Sequence, residues 1–185
     1  MNCNLNELAH PSQGVRAQML DGRVFSSNSI EMANQASKKR VLVVEDHHFL
    51  REGIVRLLNM QPDLVCCGQA DTLASSVSAV LKQKPDLLLL DIRLPDGDGL
   101  QLIDFLRPLF PNLIILVLSQ SDEVSVARQA LAMGANGYVI KQQASEMLNA
   151  IRELLRGRMY ISKELASRMP RPLPQNHSLR SVGQV

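Results

Sequence analysis

Between Val41 and about Arg156 the sequence alternates between two kinds of apolar pattern, and this alternation limits the possible folds more than any other feature. Short continuous apolar runs recur five times, as VLVV, LVCCG, LLLL, LIILVL and GYVI. Each run is followed by apolar residues three or four positions apart, such as Leu50, Ile54 and Leu57, which is the spacing of an amphipathic helix. Runs without polar alternation are typical of strands buried on both faces. We therefore predict an α/β fold, a doubly wound five-stranded parallel sheet covered by helices.

The two ends of the chain lack this pattern. Residues 1–39 are polar and show no sustained period, and residues 158–185 combine a linker-like helical stretch with a Pro-rich tail. We predict flexible N- and C-terminal extensions around a single domain at residues 40–157. Met32 lies shortly before the first strand and is a second candidate for the first residue of the native protein, which an N-terminal mass measurement would decide.

Composition excludes several classes of function. The formal net charge of +2 is too small to indicate nucleic acid or an anionic membrane as a partner. Aromatic residues make up 3% of the chain and Trp is absent, so a base-stacking surface is not expected. The longest apolar run, Leu113–Leu118, is too short to span a bilayer, and the N-terminus does not resemble a signal peptide. Three cysteines make no disulfide framework, so we expect a reduced, cytoplasmic protein.

Polar residues stand at the end of four of the predicted strands. Glu45 and Asp46 follow the first strand, Asp91 the third, Ser119 the fourth and Lys141 the fifth. The carboxyl ends of parallel strands form the ligand-binding edge of an open sheet, so we expect these groups to meet. Three neighbouring carboxylates repel one another unless a cation compensates, and Mg²⁺ prefers such oxygen ligands. The lysine and the hydroxyl suit a phosphoryl group carried by Asp91.

The motifs that carry these residues also resemble a known family. The segments VLVVED, DIRLPDGDG, ILVLSQ and GYVIK, in this order, are similar to the receiver domain of two-component response regulators. The stretch QASEMLNAIRELLRGRMYISKELASRM resembles the end of receivers in the NarL/FixJ-type branch, where a linker leads to a helix-turn-helix domain. The resemblance implies a flavodoxin-like, CheY-like fold from Val41 to about Arg156. It also implies a role in a phosphorelay that controls transcription or another output.

The resemblance assigns the acceptor and the metal ligands. Asp91 is expected to accept a phosphoryl group from a sensor histidine kinase, a phosphotransfer protein or a small phosphodonor. Asp46, Asp91 and the backbone carbonyl of Arg93 are expected to ligate Mg²⁺, and Glu45 to act through water. The chain is not expected to be an enzyme beyond slow autodephosphorylation.

The resemblance also assigns the residues that respond to the phosphoryl group. Ser119 and Lys141 are expected to bind its oxygens. Ser119 and Tyr138 are expected to couple phosphorylation to the face formed by the fourth helix, fifth strand and fifth helix, through which the chain can form a homodimer. Gln120 replaces the small residue that usually follows the switch hydroxyl, and together with Arg93 it puts the lifetime of the phosphorylated state in question.

Several alternatives stay open at this point. Ser119 can instead cap the fourth helix, and Tyr138 can be an ordinary core residue. His47 and His48 adjoin the acidic pair, but without a further His or Cys cluster we interpret them as polar residues that open the first helix.

Other functional classes fit the sequence less well. A haloacid-dehalogenase-type phosphohydrolase needs a second acid two residues after the nucleophile, where this chain has Arg93. A flavodoxin-like FMN binder needs a phosphate-cradling loop after the first strand, which EDHHF does not provide. No helix-turn-helix pattern follows Met169, so we expect no direct DNA binding. The chain is then either a stand-alone receiver that docks to a protein or a truncated NarL/FixJ-type transcriptional regulator.

Overall fold

The computed structural model describes residues 38–120, 122–141 and 144–169 together with the backbone of residues 18–20 and 23–25. Its contacts divide the chain into two units, Met1–Lys38 and Lys39–Val185. In the first unit, β1 (Gln18–Leu20) and β2 (Arg23–Phe25) form an antiparallel pair. The rest of the predicted N-terminal extension and the Pro-rich tail lie outside the described residues, as does the Met32 hypothesis.

The second unit contains a parallel sheet of six strands, in the order β10-β9-β8-β5-β3-β4. These strands are β3 (Lys39–Val44), β4 (Leu64–Ala70), β5 (Leu87–Asp91), β8 (Ile114–Ser119), β9 (Gly137–Ile140) and β10 (Tyr160–Ile161). A short antiparallel pair, β6 (Arg93–Leu94) and β7 (Gly97–Asp98), follows β5. The strand order reverses between β3 and β5, so a topological switch point lies there, where ligands bind in such sheets. The predicted doubly wound fold is confirmed.

Six helices cover the sheet in the described part of this unit. They are α1 (His48–Asn59), α2 (Leu73–Gln83), α3 (Gly99–Leu109), α4 (Val124–Ala132), α5 (Ala144–Leu155) and α6 (Lys163–Arg168). None of these helices is long and apolar enough to cross a bilayer.

The core consists of two apolar layers, one on each face of the sheet. Alternate strand residues such as Leu88 and Leu90 pack with α2, α3 and α4, whereas Leu87 and Leu89 pack with α1 and α5. All four leucines are 0–1% exposed. Because both faces of the strand are covered, its sequence is continuously apolar.

Short polar side chains set the start of several helices. The Asp98 carboxylate accepts a hydrogen bond from the Leu100 N–H at 2.9 Å and caps α3. His47 caps α1 by accepting from the Leu50 N–H at 3.4 Å, so the interpretation of the histidines as helix-opening residues is confirmed for His47. Glu123 is the N-cap of α4, so the alternative that Ser119 caps this helix is wrong.

The sixth strand was not predicted from the sequence. Tyr160 and Ile161 pair in parallel with β9, and Ser162 forms two hydrogen bonds with the same edge of that strand. Its N–H donates to the Tyr138 carbonyl and its hydroxyl accepts from the Ile140 N–H, each at 3.0 Å. Two residues are too few to show a strand period, so hydrogen bonding to β9 determines this conformation.

Candidate functional site

An ammonium group joins two buried carboxylates at the carboxyl edge of the sheet. Lys141 Nζ lies 2.6 Å from Glu45 Oε2 and 2.6 Å from Asp91 Oδ2. The three side chains are between 2% and 7% exposed. Glu45 is 46 residues from Asp91 and 96 from Lys141, so only the parallel sheet brings them together.

Asp46 completes an acidic cluster that is open to solvent on one side. One carboxylate oxygen from each of Glu45, Asp46 and Asp91 lies within 4.8 Å of the others, and Asp46 is exposed. Burial is the main cause that raises the pKa of Glu45 above its usual value, and it outweighs the bond from Lys141. Three carboxylates facing one ammonium leave an excess of negative charge, and hard oxygen ligands are those that Mg²⁺ prefers. The donor set therefore fits a divalent cation.

The loop after β5 holds the Asp91 carboxylate in place. The Arg93 N–H donates to Asp91 Oδ1 at 3.2 Å, and the Gly99 N–H donates to the Ile92 carbonyl at 2.6 Å. A Cβ at position 99 would lie 2.5 Å from the Asp91 carbonyl oxygen. Only glycine lets the start of α3 approach β5 this closely.

Asp96 anchors the same loop to a neighbouring helix. Its carboxylate accepts from the N–H groups of Leu73 at 2.7 Å and Ala74 at 3.2 Å, in the first turn of α2. These amide donors lower the pKa of Asp96. The sequence analysis missed this role, because a cap supplied from a position more than twenty residues away leaves no local pattern.

Ser119 and Tyr138 lie on the neighbouring strands β8 and β9, two register positions apart. Ser119 is 3% exposed, its carbonyl accepts from the Lys141 N–H at 2.8 Å, and its side chain hydrogen-bonds with the Tyr138 hydroxyl. Tyr138 is fully buried, and this burial is the main cause that raises its pKa. Ser119 also lines a cavity of about 530 Å³ together with Arg93 and Glu123. The predicted switch pair is thus in contact and adjoins the edge that carries Lys141.

Arg51 is a second residue that the sequence analysis missed. Its guanidinium donates to the backbone carbonyls of Glu45 and Asp46 from the first turn of α1. Arginines in an amphipathic helix normally indicate a solvated face, so the sequence pattern gave no signal for the role of Arg51.

Known proteins with similar sequences include a receiver-domain family and several response regulators. Residues 41–152 match the family described as the response regulator receiver domain. The DNA-binding transcriptional activator DevR/DosR of Mycobacterium tuberculosis is 33% identical over 129 residues, which cover 69% of this chain and 59% of that protein. The nitrate/nitrite response regulator protein NarL of Escherichia coli is 32% identical over 157 residues, covering 83% of this chain and 72% of that protein.

Solved structures agree with these sequence matches. The receiver domain of the putative response regulator NarL from Mycobacterium tuberculosis shares 33% identity at a TM-score of 0.63, covering 66% of this chain and 99% of that one. A two-component response regulator of the LuxR family from Aurantimonas shares 28% identity at a TM-score of 0.68, covering 71% and 94%. The chain spans 56–61% of the length of several curated relatives that it matches.

Proposed function

The chain belongs to the response regulator receiver family, as a receiver domain of the NarL/DevR type, and on this premise we propose that Asp91 is its phosphoacceptor. A carboxylate oxygen of Asp91 attacks phosphorus in a phosphohistidine of a sensor kinase or phosphotransfer protein. The P–N bond breaks, and the histidine nitrogen leaves with its electron pair and takes up a proton. The same carboxylate can accept a phosphoryl group from a small phosphodonor.

The observation that carries this proposal is the position of Lys141. Its ammonium lies 2.6 Å from carboxylate oxygens of both Glu45 and Asp91, at a buried strand end. This position supports the proposal that Lys141 holds a phosphoryl oxygen after transfer, when the charge on Asp91 increases.

The metal proposal follows from the acidic cluster. Asp46 and Asp91, with the Arg93 carbonyl, would ligate Mg²⁺, and Glu45 would act through a water molecule. Receiver domains bind Mg²⁺ through such acidic residues, and the cation balances the charge of the transferred group.

The hydrogen bond between Ser119 and Tyr138 supports a route by which the domain responds. When the Ser119 hydroxyl turns to a phosphoryl oxygen on Asp91, it gives up or redirects its bond to Tyr138. Tyr138 lies on β9, which packs beside α4 and α5. We propose the region of α4, β9 and α5, where β10 forms the outer edge beside β9, as the surface for a homodimer or another partner, in control of transcription or another output.

The proposal is tested by phosphorylation in vitro. The chain is incubated with acetyl phosphate and Mg²⁺, and its intact mass is measured for wild type, Asp91→Asn and Asp104→Asn. The last variant is the matched control, because Asp104 is exposed on α3. We expect wild type and Asp104→Asn to gain one phosphoryl mass, and Asp91→Asn or chelator-treated wild type to gain none. A gain that persists in Asp91→Asn would place the acceptor elsewhere.

The switch proposal has its own measurement. Beryllofluoride mimics the phosphoryl group, so hydrogen exchange of α4 and β9 is compared with and without it. We expect beryllofluoride to change the hydrogen exchange of α4 and β9 in wild type. Ser119→Ala should still bind the mimic but show a smaller change in exchange. Equal changes in both proteins would separate Ser119 from the response.

A further inference from the structure

Arg51 reaches back from α1 over the loop that carries both N-terminal acidic residues. Its Nη1 donates to the carbonyls of Glu45 and Asp46, the latter at 3.3 Å, and its Nη2 lies 3.4 Å from His48 Nδ1. None of the ion pairs found in the described ranges includes Arg51. The guanidinium therefore contacts the backbone of the acidic pair and not its carboxylates, of which that of Glu45 bonds Lys141 and the His47 N–H.

The two carbonyls lie where the helix cannot use them. The first backbone hydrogen bond of α1 runs from the Arg51 N–H to the His47 carbonyl at 2.9 Å. The carbonyls of Glu45 and Asp46 precede that bond and would otherwise depend on water. By binding both, Arg51 restrains the peptide planes after each residue and hence the direction in which each carboxylate projects.

We propose that Arg51 is a positioning residue for the acidic pair, one that raises the affinity of the site for Mg²⁺; this rests on the proposed function of that site. Two physical effects of the residue have opposite signs. As a cation near the cluster, Arg51 repels Mg²⁺, so its removal would strengthen Mg²⁺ binding. Through its hydrogen bonds to the loop, Arg51 also holds the acidic residues in the arrangement that binds Mg²⁺, so its removal weakens Mg²⁺ binding. The sign of the change in affinity separates the two roles.

The experiment measures Mg²⁺ binding by isothermal titration calorimetry on the full, unphosphorylated chain. Arg51→Met removes the donors and the charge but keeps an aliphatic stem, whereas Arg51→Lys keeps the charge without the planar fork. Arg56→Met is the matched control, because Arg56 is an exposed arginine of the same helix. We expect the dissociation constant to rise about tenfold in Arg51→Met, less in Arg51→Lys, and less than twofold in Arg56→Met.

The proposal is overturned if Arg51→Met binds Mg²⁺ as tightly as wild type or more tightly, whether or not its melting temperature falls. If Arg51→Met does not fold by circular dichroism, the comparison of Arg51→Lys with wild type decides. Failure of the proposed function looks different, because wild type itself would then bind no Mg²⁺ and gain no phosphoryl mass.

Discussion

We expect the stability of the unphosphorylated domain to depend on Lys141, and Lys141→Met tests this expectation. The substitution removes the ammonium that bonds Glu45 and Asp91 and keeps a side chain of similar length. Breaking a buried ion pair typically costs about 3–5 kcal/mol, because it leaves a charge uncompensated. We take about 3 kcal/mol, since the exposed Asp46 shows that the cluster is open to water on one side. For a chain of this size that loss corresponds to a melting temperature about 6–12 °C lower.

The assay is thermal unfolding followed by circular dichroism at neutral pH in the presence of EDTA. Lys39→Met is the matched control, because Lys39 pairs with Asp86 at 3.6 Å with both side chains well exposed. The same chemical change there should cost less than about 1 kcal/mol.

Adding Mg²⁺ provides a second, independent readout. A cation that binds only the folded state stabilises it by about 1.4 kcal/mol at ten times its dissociation constant. Without the ammonium the carboxylates attract Mg²⁺ more strongly, so we expect Lys141→Met to bind it about tenfold more tightly than wild type. That affinity ratio would narrow the stability difference by about 1.4 kcal/mol, roughly half of the loss, when Mg²⁺ saturates both proteins. The reasoning is refuted if Lys141→Met loses no more stability than Lys39→Met, or if the difference is the same in Mg²⁺ and EDTA.

Three further predictions concern the scaffold around the site. Gly99→Ala should lower the free energy of unfolding by about 2–3 kcal/mol, since the new Cβ would lie 2.5 Å from a backbone oxygen. Gly53→Ala should instead raise the free energy of unfolding by about 0.5–1 kcal/mol, because alanine favours the helix and nothing lies within 4 Å of its Cβ in the middle of α1. Ser162→Ala should cost about 1–3 kcal/mol, because it leaves the buried N–H of the last β9 residue without an acceptor. The hydrogen bond from Arg152 lowers the pKa of Asp63, so Asp63→Asn should have a lower melting temperature than wild type at pH 7. This difference in melting temperature should become smaller as the pH falls below about 4, where the wild-type carboxylate is protonated in the unfolded chain.

Each of these expectations is checked by denaturant or thermal unfolding of the folded variants. Equal stability of Gly99→Ala and wild type would show that α3 can move away from β5 without cost. A Ser162→Ala variant as stable as wild type would show that water or a shifted strand replaces the hydroxyl. For Asp63 the sign matters: a carboxylate with a lowered folded-state pKa stabilises above its unfolded pKa and loses that contribution in acid. If the difference in melting temperature between Asp63→Asn and wild type grew in acid, the lowered pKa of Asp63 would be contradicted.

Most of the scaffold was predictable because it rests on patterns that repeat along the chain. Burial on both faces requires continuously apolar strands, and LLLL and VLVV have that property. Once the strands are parallel, their carboxyl ends share one edge, so the proximity of Glu45, Asp91 and Lys141 follows from their positions after those strands. The capping of α3 by Asp98 is also a local feature, since a cap and its helix are adjacent in sequence.

The sequence by itself thus determined the α/β architecture and which polar groups stand at its ligand edge, because hydrophobic periodicity and strand polarity are local properties. Only the tertiary structure decided the remaining contacts: β10 beside β9, Asp96 on the first turn of α2, Arg51 on the carbonyls of the acidic pair, and Ser119 against Tyr138. Each of these depends on where a side chain or a two-residue strand finds a partner in space. Which distant residues meet has no period along the chain, so packing and hydrogen-bond geometry in the folded domain decide these contacts.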